Sequence, residues 1–156
     1  MILKFSRPDI SDCDALSALV FNSKASHGYD RAFMAACRAE ILVTPKTLKK
    51  GPSQLAWFDV RSEPIGFIQI VQTMPLACEL EALFIAPKAQ GLGIGQSLFE
   101  WGTETASKLG YEKMTINSDP GAEQFYEKAG AIRIGEIPSG SIAGRSLPRL
   151  SYILDN

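Results

Sequence analysis

The sequence has few residues of the kinds that hold metals or form disulfides. It contains one histidine and three cysteines, Cys13, Cys37 and Cys78, which are widely spaced and include no CxxC pair. A zinc site or a disulfide framework needs more numerous and closer ligands. We therefore expect no metal cofactor and no disulfides. Unpaired cysteines are typical of a reducing compartment, which predicts a cytoplasmic protein.

An excess of charge and a long hydrophobic run are also lacking. The 16 basic residues face 17 acidic ones, for a net charge of −1, so there is no broad basic field to attract nucleic acid. No apolar run approaches the roughly 18 residues of a membrane-spanning helix. The start, "MILKFSRPDI", lacks the apolar stretch of a signal peptide. We expect a soluble protein that binds neither nucleic acid nor membranes.

Short strand and helix patterns alternate along the 156 residues. Strands are predicted in "ILKFS", "QLAWFDV", "PIGFIQIVQT", "ACELEALFIAP", "EKMTINS", "AIRIGEI" and "RLSYILD". Helices are predicted in "SDCDALSALVFNS", with Ser11 and Asp14 at capping-box spacing, in "YDRAFMAACRAEIL", from Gly93 to Leu109, and in "DPGAEQFYEKAG". This alternation, with 46% apolar residues, predicts one α/β (α+β) domain spanning residues 1–156.

The segment "AQGLGIGQSLFEW" places three alternate glycines, Gly91, Gly93 and Gly95, between a predicted strand and a predicted helix. The spacing fits neither GxGxxG nor GxxxxGK[ST]. A helix N-terminus nevertheless offers unpaired N–H groups and a partial positive charge, and glycines allow a phosphate to approach the backbone. The segment is therefore either a phosphate cradle or a tight turn. Glycine early in a helix costs up to about 1 kcal/mol relative to alanine, which favours the cradle.

Two segments together resemble signatures of the GNAT superfamily of N-acetyltransferases. "QGLGIG", from Gln90 to Gly95, resembles Q/R-x-x-G-x-G/A, and "DPGAEQFYEKAGA" resembles N-x-x-A-x-x-F/L-Y-E-K-x-G-F. Asp119 and Ala131 stand where the family often has asparagine and phenylalanine. The resemblance implies a single-domain acyl-CoA N-acyltransferase-like fold. Such a fold has a mixed central sheet of six to seven strands flanked by about four helices.

The resemblance implies direct transfer of acetyl from acetyl-CoA to an amine of a small-molecule or peptide acceptor. A homodimer is compatible with it. The alternatives are a catalytically silent acyl-CoA-binding or sensing domain, and a nucleotide-binding module of another class. The cofactor-binding residues that the resemblance suggests are Leu83, Phe84, Ile85, Gln90, Gly91, Leu92, Gly93, Ile94, Gly95, Gln96, Asn117 and Tyr126.

Tyr126, Glu81 and Glu79 are the candidate catalytic residues. The resemblance places Tyr126 at the sulfur of CoA as a proton donor, although Tyr126 also belongs to an apolar helical stripe typical of a core. An acidic residue on the strand before the glycine turn often handles the amine proton in this family. Strand alternation places Glu79, Glu81, Leu83 and Ile85 on one face. Glu81 is closer to the turn and is favoured; the alternative is that both glutamates are simply exposed.

The acceptor is expected to contact the loop between the first two helices, the hairpin and the segment "PSGSIAGRSLP". Arg145 is positioned there either to pair with a carboxylate of the acceptor or to lie in solvent, and His27 is an acceptor contact or an ordinary loop residue. Cys78 has no neighbouring histidine in the sequence, which favours direct transfer over an acyl-enzyme. The candidate acceptor contacts are His27, Tyr29, Arg31, Ser139, Ser141 and Arg145.

Overall fold

The centre of the fold is a mixed sheet. The computed structural model describes residues 2–140 and 142–155, so Ser141 lies outside the described residues. Within these ranges the sheet has seven strands in the order β1-β2-β3-β4-β5-β7-β6, and only β4 and β5 are parallel. This confirms the predicted mixed sheet of six to seven strands. The strands are β1 (Lys4–Ser6), β2 (Ser53–Trp57), β3 (Gly66–Met74), β4 (Ala77–Ile85), β5 (Lys113–Asn117), β6 (Ile132–Pro138) and β7 (Ser146–Ile153).

Five α-helices are present in the described residues, where the sequence predicts about four. The additional one is a single turn in the proline-rich segment before β2, and Thr44 caps it by accepting the Thr47 N–H at 3.1 Å. The second helix is shorter than predicted; Asp30 caps its start by accepting the Phe33 N–H at 2.8 Å. The helices are α1 (Cys13–Ala25), α2 (Arg31–Cys37), α3 (Pro45–Leu48), α4 (Ile94–Lys108) and α5 (Glu123–Lys128).

The start of α1 differs from the predicted capping box at Ser11 and Asp14. A 3-10 turn precedes the helix, so the box lies two residues earlier, at Asp9 and Asp12. The Asp12 carboxylate accepts the Asp9 N–H at 2.8 Å, and the Asp9 carboxylate accepts the Ser11 N–H at 2.8 Å. The predicted apolar face of the helix is confirmed, because it is buried in the core: Leu16, Leu19 and Val20.

Helices cover both faces of the sheet. On one face, α4 lies so close to β3 that a Cβ at Gly102 would be 2.8 Å from Cδ1 of Ile68. On the other face, the buried Gln69 of β3 donates from Nε2 to the backbone oxygens of Thr47, at 2.8 Å, and Gly51, at 3.2 Å. The glycine lets a helix approach closely, and the glutamine ties the α3 segment to the sheet.

The parallel pair β4 and β5 stays together over only four residues of each strand. Ala77 to Leu80 pair with Lys113 to Ile116, and no pairing follows. Pairing of β4 with β3 continues to Ile85 but contains a bulge, because Gln69 faces Ala82 and Ile70 faces Leu80. Glu81 is the extra residue. Beyond the bulge, β5 separates from β4, and the edge of β4 that faced β5 has no partner.

The bulge overturns the prediction that Glu79 shares a face of β4 with Leu83 and Ile85. Opposed residues of antiparallel strands lie on the same face. Glu79 is opposite Val71, whereas Leu83 is opposite Ile68, which packs under α4. The extra residue reverses the alternation, as bulges do. Glu79 therefore lies on the face opposite α4, and Leu83 and Ile85 lie toward α4.

The buried amide of Gln69 generates a prediction about stability. Replacing the buried Gln69 by leucine removes the hydrogen bonds that its amide donates to the backbone oxygens of Thr47 and Gly51, which should lower the free energy of unfolding by about 1–3 kcal/mol. The matched control is Gln72→Leu on the same strand, where the glutamine is exposed and bonds only to the Met74 oxygen at 3.2 Å. Urea denaturation of both variants measures the difference. Equal stabilities would contradict this account of Gln69.

Candidate functional site

The glycine turn joins the unpartnered end of β4 to α4. Gly91 and Gly93 have φ angles of 80° and 81°, in the left-handed region that favours glycine. A Cβ at either position would meet no atom within 4 Å, so the backbone conformation, rather than crowding, selects glycine there. Gly93 is the N-cap of α4 and supplies no side chain to cap it.

Six consecutive backbone N–H groups at this turn are free to bind a ligand. The N–H groups of residues 91–96 donate to no other group in the described part of the chain, and the first bond of the helix runs from Ser97 N to Gly93 O at 3.1 Å. With the partial positive charge of a 15-residue helix behind them, such groups form an anion-binding site. The turn therefore has the free backbone donors that a phosphate cradle would need.

The unpartnered half of β4 leads into the glycine turn through a short 3-10 turn at Pro87–Ala89. Leu83, Phe84 and Ile85 are half-buried and pair with β3 on one side only. Their other side faces the opening left by the departure of β5. A free strand edge offers N–H and C=O groups to an extended ligand. The cradle and the open strand edge are therefore contiguous.

A chain of polar side chains begins where β4 and β5 separate. Glu79 accepts a hydrogen bond from Asn117 at the end of β5, with 2.6 Å between Oε1 and Nδ2. Oδ1 of Asn117 in turn accepts from Nη1 of Arg149 on β7 at 2.9 Å. Burial raises the pKa of Glu79, the charge of Glu81 adds to the effect, and Arg149 partly offsets it. Glu81, the bulge residue, is exposed.

Tyr126 is buried in an aromatic cluster on α5. Its ring lies 5.8 Å from that of Phe99 and 5.2 Å from that of Phe125, between ring centroids. Burial raises its pKa, as does the negative charge of Asp119. The hydroxyl makes no hydrogen bond with the part of the chain that the structure describes. Tyr126 is thus both a core aromatic and a protonated hydroxyl beside the end of β5.

A second polar cluster bridges the loop between α1 and α2 to the loop between β6 and β7. The Tyr29 hydroxyl donates to Oδ2 of Asp119 at 2.5 Å and accepts from Nη2 of Arg145 at 2.7 Å. Arg145 Nη2 and Lys24 Nζ lie 3.6 Å and 3.9 Å from the same carboxylate oxygen. We call Lys24, Tyr29, Phe33, Asp119 and Arg145 the cationic cluster.

Burial and hydrogen bonds shift the pKa values of Asp119 and Tyr29 in opposite directions. Burial acts to raise the pKa of Asp119, but the bonds from Tyr29 and the Gly121 N–H, with nearby His27 and Lys24, hold it below its usual value. Burial and the bond to Asp119 raise the pKa of Tyr29 to about 12. Asp119 is therefore a carboxylate and Tyr29 a neutral phenol at neutral pH.

Of the remaining predicted acceptor contacts, His27 contacts a residue of the cluster through its ring. His27 is exposed, its ring centroid is 6.4 Å from that of Tyr29, and a Cβ at Gly121 would be 3.6 Å from its Nδ1. Arg31 is exposed on the first turn of α2, and Ser139 is half-buried. The structure thus brings Tyr29, Arg145 and His27 together.

Sequence reasoning missed Arg149 as well as Lys24 and Phe33. Arg149 reaches Glu79 only through Asn117, across three strands, and no local pattern carries that signal. Lys24 and Phe33 stand at spacings typical of ordinary helix residues. Lys24 lies in the last turn of α1, and only the position of Asp119 in space gives it an ion-pair partner.

Cys78 and the other two cysteines are free and buried. Burial raises the pKa of the Cys78 thiol to about 11, so it is protonated at neutral pH and weakly nucleophilic. Among residues 2–140 and 142–155, no group of His, Cys, Asp and Glu side chains could hold a metal ion. In the same residues, no helix is long and apolar enough to cross a bilayer.

Comparison with known families decides what kind of fold carries this site. A family profile described as "Acetyltransferase (GNAT) domain" matches residues 26–138. The chain belongs to the GNAT acetyltransferase family. As a GNAT protein it is an acyltransferase, and members of the family use acetyl-CoA. A search of curated proteins gives no match.

Solved structures share this GNAT fold over nearly the whole chain. The PaiA N-acetyltransferase of Thermoplasma acidophilum, in complex with coenzyme A, is 18% identical with a TM-score of 0.79, covering 98% of this chain and 99% of that one. An IAA acetyltransferase from Bacillus cereus is 20% identical, with a TM-score of 0.69, and the match covers 98% of this chain and 100% of that one. The ribosomal-protein-S18-alanine N-acetyltransferase of Escherichia coli is 15% identical, with a TM-score of 0.71, and the match covers 99% of this chain and 96% of that one. At these identities the likeness shows the fold alone.

The charges around Glu79 predict two opposite shifts of its pKa. Replacing Arg149 by methionine removes a neighbouring positive charge, so the pKa of Glu79 should rise further. Replacing Glu81 by glutamine removes a repelling charge, so the pKa should fall toward its ordinary value. Carbon-13 NMR of the glutamate carboxyls over pH, with Glu79→Gln for assignment, measures both. Shifts of the same sign would contradict the electrostatics described here.

Proposed function

We propose that the chain transfers the acetyl group of acetyl-CoA directly to an amine of its acceptor, as one domain over residues 1–156. The observation that carries the proposal is the opening between β4 and β5 beside the six free N–H groups of residues 91–96. Three free, buried cysteines accord with a reducing compartment, and we place the protein in the cytoplasm. No metal takes part in the proposed reaction.

The residues present fit acetyl-CoA at this opening. The glycine turn, from Gln90 to Gln96, would hold the pyrophosphate with its backbone N–H groups. The free edge of β4 at Leu83, Phe84 and Ile85 would hold the pantetheine arm as a further strand would be held. When bound, acetyl-CoA supplies an acetyl thioester. The suggested contact of Asn117 with the cofactor stays a prediction, since its amide bonds to Glu79 and Arg149.

Glu79 is the proposed general base. An alkylamine has a pKa near 10.4, so only about one molecule in a few thousand is neutral and nucleophilic at pH 7. A base whose own pKa is raised toward neutrality takes up the amine proton more effectively. Glu79 is half-buried, its pKa is raised, and Asn117 holds its carboxylate in place. Glu81 is closer to the turn but exposed, which makes it the weaker candidate.

Tyr126 is the proposed proton donor to the departing sulfur, and a β4 backbone N–H is the proposed donor to the thioester oxygen. The negative charge that develops on that oxygen is best stabilised by a donor already in position. Burial and Asp119 raise the pKa of Tyr126, so it is protonated at neutral pH and can donate a hydrogen bond to the sulfur as negative charge develops there. Glu79 lies on the sheet face opposite α4, whereas Tyr126 packs on Phe99 of α4. The base and the acid thus approach the opening from different sides.

A thiol-release assay with purified protein, acetyl-CoA and a panel of amines tests the proposal. Glu79→Gln should lower kcat/KM by about 10²- to 10⁴-fold and remove the part of its rise with pH that comes from Glu79 losing its proton, leaving the part that comes from deprotonation of the amine. Tyr126→Phe should lower kcat at the small end of that range, about 10²-fold, because a thiol with a pKa near 8.5 leaves readily.

Two matched variants serve as controls in this assay. Glu81→Gln should retain most activity, since the exposed carboxylate is a neighbour of the base rather than the base itself. Cys78→Ala should also remain active if transfer is direct. Tight acetyl-CoA binding without turnover of any amine would indicate a silent acyl-CoA-binding domain instead. Loss of activity in Glu81→Gln but not in Glu79→Gln would exchange the two roles.

A further inference from the structure

The cationic cluster carries one more positive charge than its own carboxylate neutralises. Lys24 and Arg145 are cations, Asp119 is the single anion among the five residues, and Tyr29 is a neutral phenol. The side chains of the two cations are only 15% and 18% exposed. Charges removed from water are costly unless they are paired. The five residues therefore carry one net positive charge, on side chains that water reaches only in part.

The two cations of the cluster make few hydrogen bonds. The Asp119 carboxylate accepts hydrogen bonds from the Tyr29 hydroxyl and the Gly121 N–H, whereas the two cations lie at ion-pair distances of 3.6 Å and 3.9 Å without hydrogen-bonding to it. Within the described residues, the Arg145 guanidinium donates only to Tyr29, and the Lys24 ammonium donates to no side chain or backbone oxygen. A guanidinium has five N–H donors and an ammonium three, so most of these donors remain available.

Two stacked aromatic rings lie beside both cations and use none of their hydrogen-bond donors. The rings of Tyr29 and Phe33 stack with centroids 4.0 Å apart. The Arg145 guanidinium lies 5.2 Å and 4.8 Å from the two ring centroids, and Lys24 Nζ lies 5.5 Å and 5.7 Å from them, so both cations flank the stacked pair and each can lie above the face of at most one ring. Such contacts position a cation without using its hydrogen bonds. The two cations are thus preorganised for another partner.

The cluster is connected to the proposed base through the short segment at the end of β5. Asp119 follows Asn117 by two residues, which span at most about 7 Å, and Asn117 bonds directly to Glu79. A small molecule with its amine at Glu79 could reach the cluster with its other end. We propose that Lys24 and Arg145 bind a carboxylate of the acceptor, and that the acceptor is a small amino-carboxylic acid. A monoanion matches the one net positive charge. This inference rests on the acetyltransferase function proposed above.

The test is a comparison of acids with their amides in the thiol-release assay. The panel holds the common L-amino acids and short ω-amino acids, each beside its carboxamide, which keeps the amine and removes the charge. For its substrates the wild-type protein should favour the acid by about tenfold or more in kcat/KM, through KM, as expected for charge-assisted hydrogen bonds. Amides have the more easily deprotonated amine, so amine chemistry alone would give the opposite preference.

Three variants locate the preference in the cluster. Lys24→Gln and Arg145→Gln should each reduce the acid-to-amide ratio toward one while acetyl-CoA affinity, measured by calorimetry, is maintained. Arg133→Gln is the control, because this arginine is 43% exposed and pairs with Glu123 and Glu136 outside the cluster. It should retain the wild-type ratio.

The inference fails if wild-type protein uses amides as well as acids, or if the preference survives both cluster variants. It also fails if those variants weaken acetyl-CoA binding instead, since the cations would then serve the cofactor. If no member of the panel is acetylated, the acids are titrated into CoA-saturated protein, and absence of binding overturns the inference. Absence of acetyl-CoA binding itself would instead overturn the proposed function.

Discussion

The early end of pairing between β4 and β5 is the constraint on which the site depends. After Leu80 and Ile116 the strands separate, and the bulge at Glu81 marks the same point on the other edge of β4. The separation exposes one edge of β4 and directs it into the glycine turn. Without the opening, the free N–H groups of residues 91–96 would face the end of a closed sheet. The helix packing on both faces keeps the two halves of the sheet in place.

Charge is concentrated at the same opening. Glu79, Asn117 and Arg149 form one hydrogen-bonded chain, and Asp119, two residues beyond Asn117, anchors the cationic cluster. The short stretch at the end of β5 therefore supports both the proposed base and the proposed acceptor contacts. The same carboxylate of Asp119 also raises the pKa of Tyr126. A change in this stretch should thus affect base, acid and acceptor together.

The sequence predicted the order of elements well because local patterns specify them. Glycines with positive φ, the Asp119 cap and the apolar faces are all readable from neighbouring residues, and so is the likeness to the family. The bulge is not, because it depends on the register of β3 against β4, and it reversed the expected face of Glu79. The contacts of Lys24, Phe33 and Arg149 join segments far apart in the chain, which no single-sequence periodicity records.

Amide hydrogen exchange with and without acetyl-CoA tests the central claim most directly. If the open edge of β4 and the glycine turn hold the cofactor, acetyl-CoA should slow exchange in residues 83–85 and 91–96. It should leave the edge strand at residues 132–138 unchanged, and ATP should give no such protection. Protection that is absent from the turn and from β4, or that ATP produces equally, would contradict the account.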